Sequence, residues 1–188
     1  MKSLHFHLLT LCITLATGTL VSNPNDLKLV CFNEPEHGAQ ARAIYRQAFK
    51  TGYDLAFLNK VPSPESPFKV EVLLAKDTVA GFVVFSDLGK RHRTIDWLAI
   101  DEPYRKSDLH CGTYVMQQKE TQARDLGIRA MILSPRTDDV IPFYEKLGYK
   151  LENKRASIMS KILNPSPEDA AGERPTKVFR YINDSFDA

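Results

Sequence analysis

Cysteine is scarce in this chain: there are three, Cys12, Cys31 and Cys111, with no Cys-x-x-Cys pair. That excludes a disulfide-built scaffold and a ribbon- or finger-type zinc site. His5, His7 and His37 do not stand at a metal-ligand spacing either, so no metal is expected. Excess charge is also missing. Lys and Arg number 25 against 23 Asp and Glu, a net +2, whereas a protein living on nucleic acid by counterion release carries a large basic surplus. The basic run Lys90-Arg91-His92-Arg93 has no interleaved aromatics and reads as a solvated turn, so no nucleic-acid partner is expected. Nine glycines and eleven prolines exclude collagen-like and low-complexity chains. No apolar run is long enough for a stable membrane span. The longest, Leu8 to Leu20, has thirteen residues against about 20 for a spanning helix.

What is present is 188 residues, 43% apolar and 26% charged, the mix of one packed domain with appendages. Met1-Lys2-Ser3, the apolar run and then Ala16-Thr17-Gly18 follow the layout of an export signal, with residues 1–22 as leader. Export is therefore expected, with a cytoplasmic protein the alternative if the leader does not work as a signal. The polar segment 164–188, opening Asn-Pro-Ser-Pro, reads as a tail in which Val178–Ile182 is a short apolar patch. Residues 26–163 remain as the domain.

Within it, apolar runs predict strands at 27–32, 70–75, 79–85, 95–100, 128–133, 149–151 and 157–163. Helical spacing predicts helices at 36–49, at 113–126 closed by Gly127, and at 139–147 closed by Gly148. Three prolines in Val61–Pro67 demand a loop. A strand–helix–strand crossover from 95–100 to 128–133 requires a parallel pair. The fold class is therefore α+β, a mixed and mostly antiparallel sheet.

The chemistry concentrates in that crossover. Ile95-Asp96-Trp97-Leu98-Ala99-Ile100 runs into a Pro103-Tyr104-Arg105 corner, then a loop, then Gly112-Thr113 opening a helix. Ile141-Pro142-Phe143-Tyr144-Glu145-Lys146-Leu147-Gly148-Tyr149 follows. In this order the segments resemble the GNAT superfamily of acyl-CoA-dependent N-acyltransferases. The resemblance implies a central sheet with one splayed parallel pair and helices on both faces. It also implies acetyl-CoA, or another acyl-CoA, as co-substrate and a small-molecule or peptide amine as acceptor.

Residue by residue, it implies that Leu98, Ala99 and Ile100 pair with the donor's pantetheine arm, a backbone amide near Ala99 or Ile100 polarising the thioester. A helix N-terminus leaves amides unpaired and carries partial positive charge, a natural seat for a pyrophosphate. Arg105, Lys106, Leu109, His110, Cys111, Gly112 and Thr113 are the residues placed there. Tyr144 stands where the family has its general acid. Asp96 is the candidate to accept the amine's proton; a salt bridge to Arg93 or Lys90 is its other reading. The pattern also departs from the family. His110 replaces the first loop glycine, Ser107 the opening Gln or Arg, Asp108 adds negative charge, and Thr137 replaces an asparagine seven residues before the tyrosine. A non-catalytic module with lost or altered CoA binding is the alternative. Cys111, at a helix start, reads either as a reactive thiol or as packing beneath the loop, and a Cys31–Cys111 bridge is open if the chain is exported.

Overall fold

The computed structural model describes residues 26–49 and 66–165. The leader, nearly all of the tail with its apolar patch at 178–182, and most of the proline loop lie outside the described residues.

Seven strands form one sheet: β1 (Leu27–Cys31), β2 (Phe68–Ala75), β3 (Thr78–Leu88), β4 (His92–Ile100), β5 (Ala130–Leu133), β6 (Lys150–Asn153) and β7 (Ile158–Ile162). Their order is β1-β2-β3-β4-β5-β7-β6, and β4–β5 is the parallel pair in an otherwise antiparallel ladder. The expected α+β mixed sheet is therefore the observed one. Among the described residues the helices are α1 (Glu34–Phe49), α2 (Glu102–Arg105), α3 (Cys111–Asp125) and α4 (Ile141–Lys146), the last preceded by a 3-10 turn, Asp138–Val140.

Helix α1 starts two residues before its expected first residue, because Pro35 suits a first turn whose amide hydrogen has no partner to lose. Its buried Ala41, Ile44, Tyr45 and Phe49 pack with Val72, Phe82, Val84 and Ala99 on one face of the sheet. On the other face, Val115, Met116 and Ala123 of α3 pack with Val83, Phe85, Ile95 and Met131. The sheet thus has a core on each side. Gly127 and Gly148 end their helices at φ +70° and +88°, where a side chain would be strained. The short α2 is an addition to the sequence expectation. Asp101 caps it by accepting from the Glu102 amide at 2.9 Å, and Pro103 sits in its first turn.

The basic run needs correction. Lys90 and Arg91 are exposed, but His92 and Arg93 belong to β4, and Arg93 is 1% exposed. Its guanidinium donates to both carboxylate oxygens of Asp87, at 2.6 and 3.0 Å, and to the Lys119 carbonyl at 3.1 Å. Lys119 is buried too. It pairs with Glu71 and lies 4.3 Å from the centre of the Phe85 ring, with Arg93 at 4.6 Å. A charge this deep is stable only when so paired. A hydrophilic run in the sequence thus conceals part of the core.

Candidate active site

Parallel pairing between β4 and β5 lasts four residues, from His92–Ala130 to Ile95–Leu133. There β5 ends, while β4 continues to Ile100 along β3. Among the described residues, the edge of β4 beyond Ile95 therefore has no strand beside it. The Asp101 amide donates to the Ala80 carbonyl at 2.8 Å, and Arg105 Nε donates to the Ile100 carbonyl at 2.7 Å. Ile100 accordingly turns its amide and carbonyl away from β3. Alternation along a strand turns Leu98 the same way, while Ala99 faces β3 opposite Phe82.

A cleft of ≈ 710 Å³ occupies this gap. Its walls gather Asp96, Leu98, Ala99, Ile100, Arg105, Thr137 and Tyr144, residues that are up to 48 positions apart in sequence. The remaining candidates, Lys106, Leu109, His110, Cys111, Gly112 and Thr113, are not part of its lining. They form the approach to α3.

Asp96 owes its position to a β-bulge. Val84 pairs with Trp97 and Phe85 with Ile95, so Asp96 is the extra residue without a partner, a device that re-aims a side chain. The bulge also changes face parity: Ile95 and Leu98 both serve the α3-side core, while Trp97 and Ala99 serve the α1 side. Asp96 is not bridged to Arg93, which is held by Asp87. Instead the Ser86 hydroxyl donates to its Oδ2 at 3.1 Å. Burial pushes its carboxyl up to about 6, against the opposing pull of that hydrogen bond. A carboxyl so tuned is ionised near neutrality yet basic enough to accept a proton.

Tyr144 sits on α4, its ring 4.9 Å from that of Phe143 and 6.0 Å from that of Tyr149. Burial raises its phenol to about 12, so it keeps its proton throughout the neutral range. Thr137 has extended backbone at the start of the 3-10 turn, and its carbonyl accepts from the Val140 amide at 3.3 Å.

At α3 the first amides, those of Cys111, Gly112 and Thr113, precede the first helical bond, from Tyr114 to the His110 carbonyl at 3.0 Å. No acid lies in that first turn. His110 caps the helix at φ +49°, the left-handed conformation that glycine adopts most cheaply. Gly112 serves a different purpose. A Cβ there would lie 3.2 Å from Cζ of Phe143, so the missing side chain lets α4 approach. Cys111 is 1% exposed and its thiol is pushed up by burial; it packs rather than reacts. It is not bridged to Cys31, which is exposed.

Four participants were not among the sequence candidates. Ser86 reaches Asp96 from another strand, and Phe49, Trp97 and Arg136 line the cleft from the α1 side. Nothing local in the sequence marks them, since each is brought in by tertiary packing. Among the described residues, no three His, Cys, Asp or Glu side chains gather as a metal site requires. Nor is any described helix long and apolar enough to cross a membrane.

Comparison with known proteins agrees with this architecture. No curated protein sequence matches the chain. Among solved structures, an acetyltransferase from Streptococcus agalactiae superposes with a TM-score of 0.61 at 16% identity, over 73% of this chain and 99% of that one. The aminoglycoside 6'-N-acetyltransferase from Enterococcus faecium gives 0.56 at 19% identity, over 74% and 99%. The PaiA N-acetyltransferase from Thermoplasma acidophilum, in complex with coenzyme A, gives 0.56 at 16% identity, over 72% and 98%. At these identities the likeness is one of fold. The model of the acetyltransferase (GNAT) family, by contrast, matches residues 35–149, more than half of the sequence and the whole of the cleft's described framework from α1 to α4. The chain belongs to the acetyltransferase (GNAT) family.

Proposed function

We propose that the protein transfers an acyl group from acetyl-CoA, or a related acyl-CoA, to a primary amine of a small molecule or peptide. The observation that carries this reading is the open edge of β4: two outward-facing backbone units, a tuned carboxyl and a neutral phenol line one cleft. Family membership supports it, as does the fold shared with a coenzyme A complex.

The residues present suit such a donor. The free amides at the start of α3 and the exposed Arg105 and Lys106 favour phosphates. The left-handed His110 and exposed Asp108 make that seat narrower and less positive than a glycine loop. Acyl-CoA supplies an activated thioester carbonyl. The Leu98 and Ile100 amides face the cleft and can donate to a carbonyl oxygen there, a role requiring no particular side chain. Asp96, ionised above about pH 6, accepts the proton that an ammonium group loses before its nitrogen can attack. Tyr144 delivers its proton to the departing sulfur. One C–N bond forms as one C–S bond breaks; nitrogen gives up two protons, the first to Asp96 before attack and the second after it, which replaces the one that Tyr144 passes to sulfur.

A thermal-shift titration tests the reading. Acetyl-CoA at 100 times its dissociation constant adds about 2.7 kcal/mol to stability. No shift with saturating acetyl-CoA or free CoA overturns the proposal in favour of a non-catalytic module.

A further inference from the structure

The cleft takes its walls from both faces of the sheet. Ile95, Leu133 and Tyr144 belong to the α3 side, and Phe49, Trp97 and Ala99 to the α1 side. The groups assigned to the acyl donor, Tyr144 and the start of α3, are on the first side. The α1 side is left for the acceptor.

That wall holds a cation with no part in the chemistry above. Arg136 follows β5, is exposed and lines the cleft, with its guanidinium 5.3 Å from the centre of the Phe49 ring. Phe49 in turn meets Trp97 edge-on at 4.9 Å. Arg93 and Arg105 direct hydrogen bonds inward, to Asp87 and to the Ile100 carbonyl. Arg136 does not: among the described residues no carboxylate lies within ion-pair distance of it, including the cleft acids Asp96 and Asp139. A guanidinium lying over a ring is held by its charge, which leaves N–H donors along its edge for another partner. That edge matches two oxygens of a carboxylate or phosphate.

We propose that Arg136 binds an anionic group on the acceptor, so that the substrates are amines carrying a carboxylate or phosphate rather than plain amines. This rests on the acyl-transfer reading of the same cleft. A polycationic amine would meet repulsion at Arg136, so the residue selects against it as well as for the anion.

Ligand-observed NMR on the full chain with free CoA present tests this, using matched primary amines: alanine against alaninamide, and O-phosphoethanolamine against ethanolamine. Binding is expected for the anionic members, with the two pairs separating carboxylate from phosphate. Arg136→Gln should weaken it tenfold or more and Arg136→Lys by less, with affinity for free CoA unchanged. Equal binding of the neutral members, or binding by neither anionic one, overturns the proposal. So does a variant that loses CoA instead, since Arg136 would then serve the donor's phosphates. If free CoA does not bind, the acyl-transfer reading fails, and the same panel without CoA still decides the anion site.

Discussion

The Ser86 hydroxyl donates across 3.1 Å to Oδ2 of Asp96, from the neighbouring strand onto the one residue that the β3–β4 bulge leaves unpaired. Burial raises the Asp96 carboxyl from 3.8 to about 6, and the serine opposes that rise. Between those values the folded chain keeps a proton that the unfolded chain has released. The associated stability is full below about pH 4 and is lost as pH rises through about 6. Ser86→Ala should therefore move the acidic midpoint of kcat/KM upward by about one pH unit, the worth of one such hydrogen bond. Asp96→Asn should flatten Tm against pH across the same window while lowering the rate. An unmoved midpoint in Ser86→Ala would remove Asp96 as the proton acceptor.

Tyr144 titrates at about 12, so no alkaline fall in rate below about pH 10 should originate from it. Tyr144→Phe preserves the ring packing on Phe143 and Tyr149 and deletes only the proton. We expect kcat to fall by about 10²- to 10⁴-fold, with CoA affinity within about twofold of the native value by thermal shift. Full activity in that variant would take the phenol out of the reaction.

Gly112→Ala sets two effects against each other. Alanine favours the helix by up to about 1 kcal/mol, but its Cβ would sit 3.2 Å from the Phe143 ring, forcing the ring to give. Stability in urea should change by less than about 1 kcal/mol. The displaced Phe143 bears on Tyr144, 4.9 Å away, and kcat should fall several-fold. A loss of CoA affinity at unchanged kcat would instead show that the added Cβ crowds the phosphates proposed for the first α3 amides rather than Phe143.

Lys119→Met leaves Glu71 without its buried partner. Removing one member of such a pair costs about 3 kcal/mol, measured by urea unfolding. Adding Glu71→Gln should recover a large part of it, so the double variant loses less than the two singles together. Additive losses would show that the two charges do not depend on each other.

Much of the architecture was legible because it follows from local physics. Apolar runs in Val79–Phe85 and Ile128–Leu133 specify strands, and Gly127 and Gly148 specify helix ends whose φ values are indeed positive. The parallel pair followed from chain connectivity alone. Helix α2 was within reach, since Asp101 and Pro103 are a capping residue and a first-turn proline. Arg93 misled because hydrophilic residues are read as exposed; only the position of Asp87 makes its burial tolerable, as Glu71 does for Lys119, which nothing local in the sequence singles out. The bulge at Asp96 depends on register against β3, and the Arg136–Phe49 cation–π contact joins residues 87 positions apart. Neither leaves a local mark.

A cleft walled from both faces of the sheet also bears on the order of events. With donor and acceptor on opposite sides as proposed, neither reactant stands behind the other, and each can come and go while its counterpart stays. Among the described residues no thiol lines the cleft to carry the acyl group between two separate visits. Initial-rate lines for donor and acceptor should therefore intersect rather than run parallel. An acceptor much larger than ≈ 710 Å³ is then no obstacle, because only its amine has to enter.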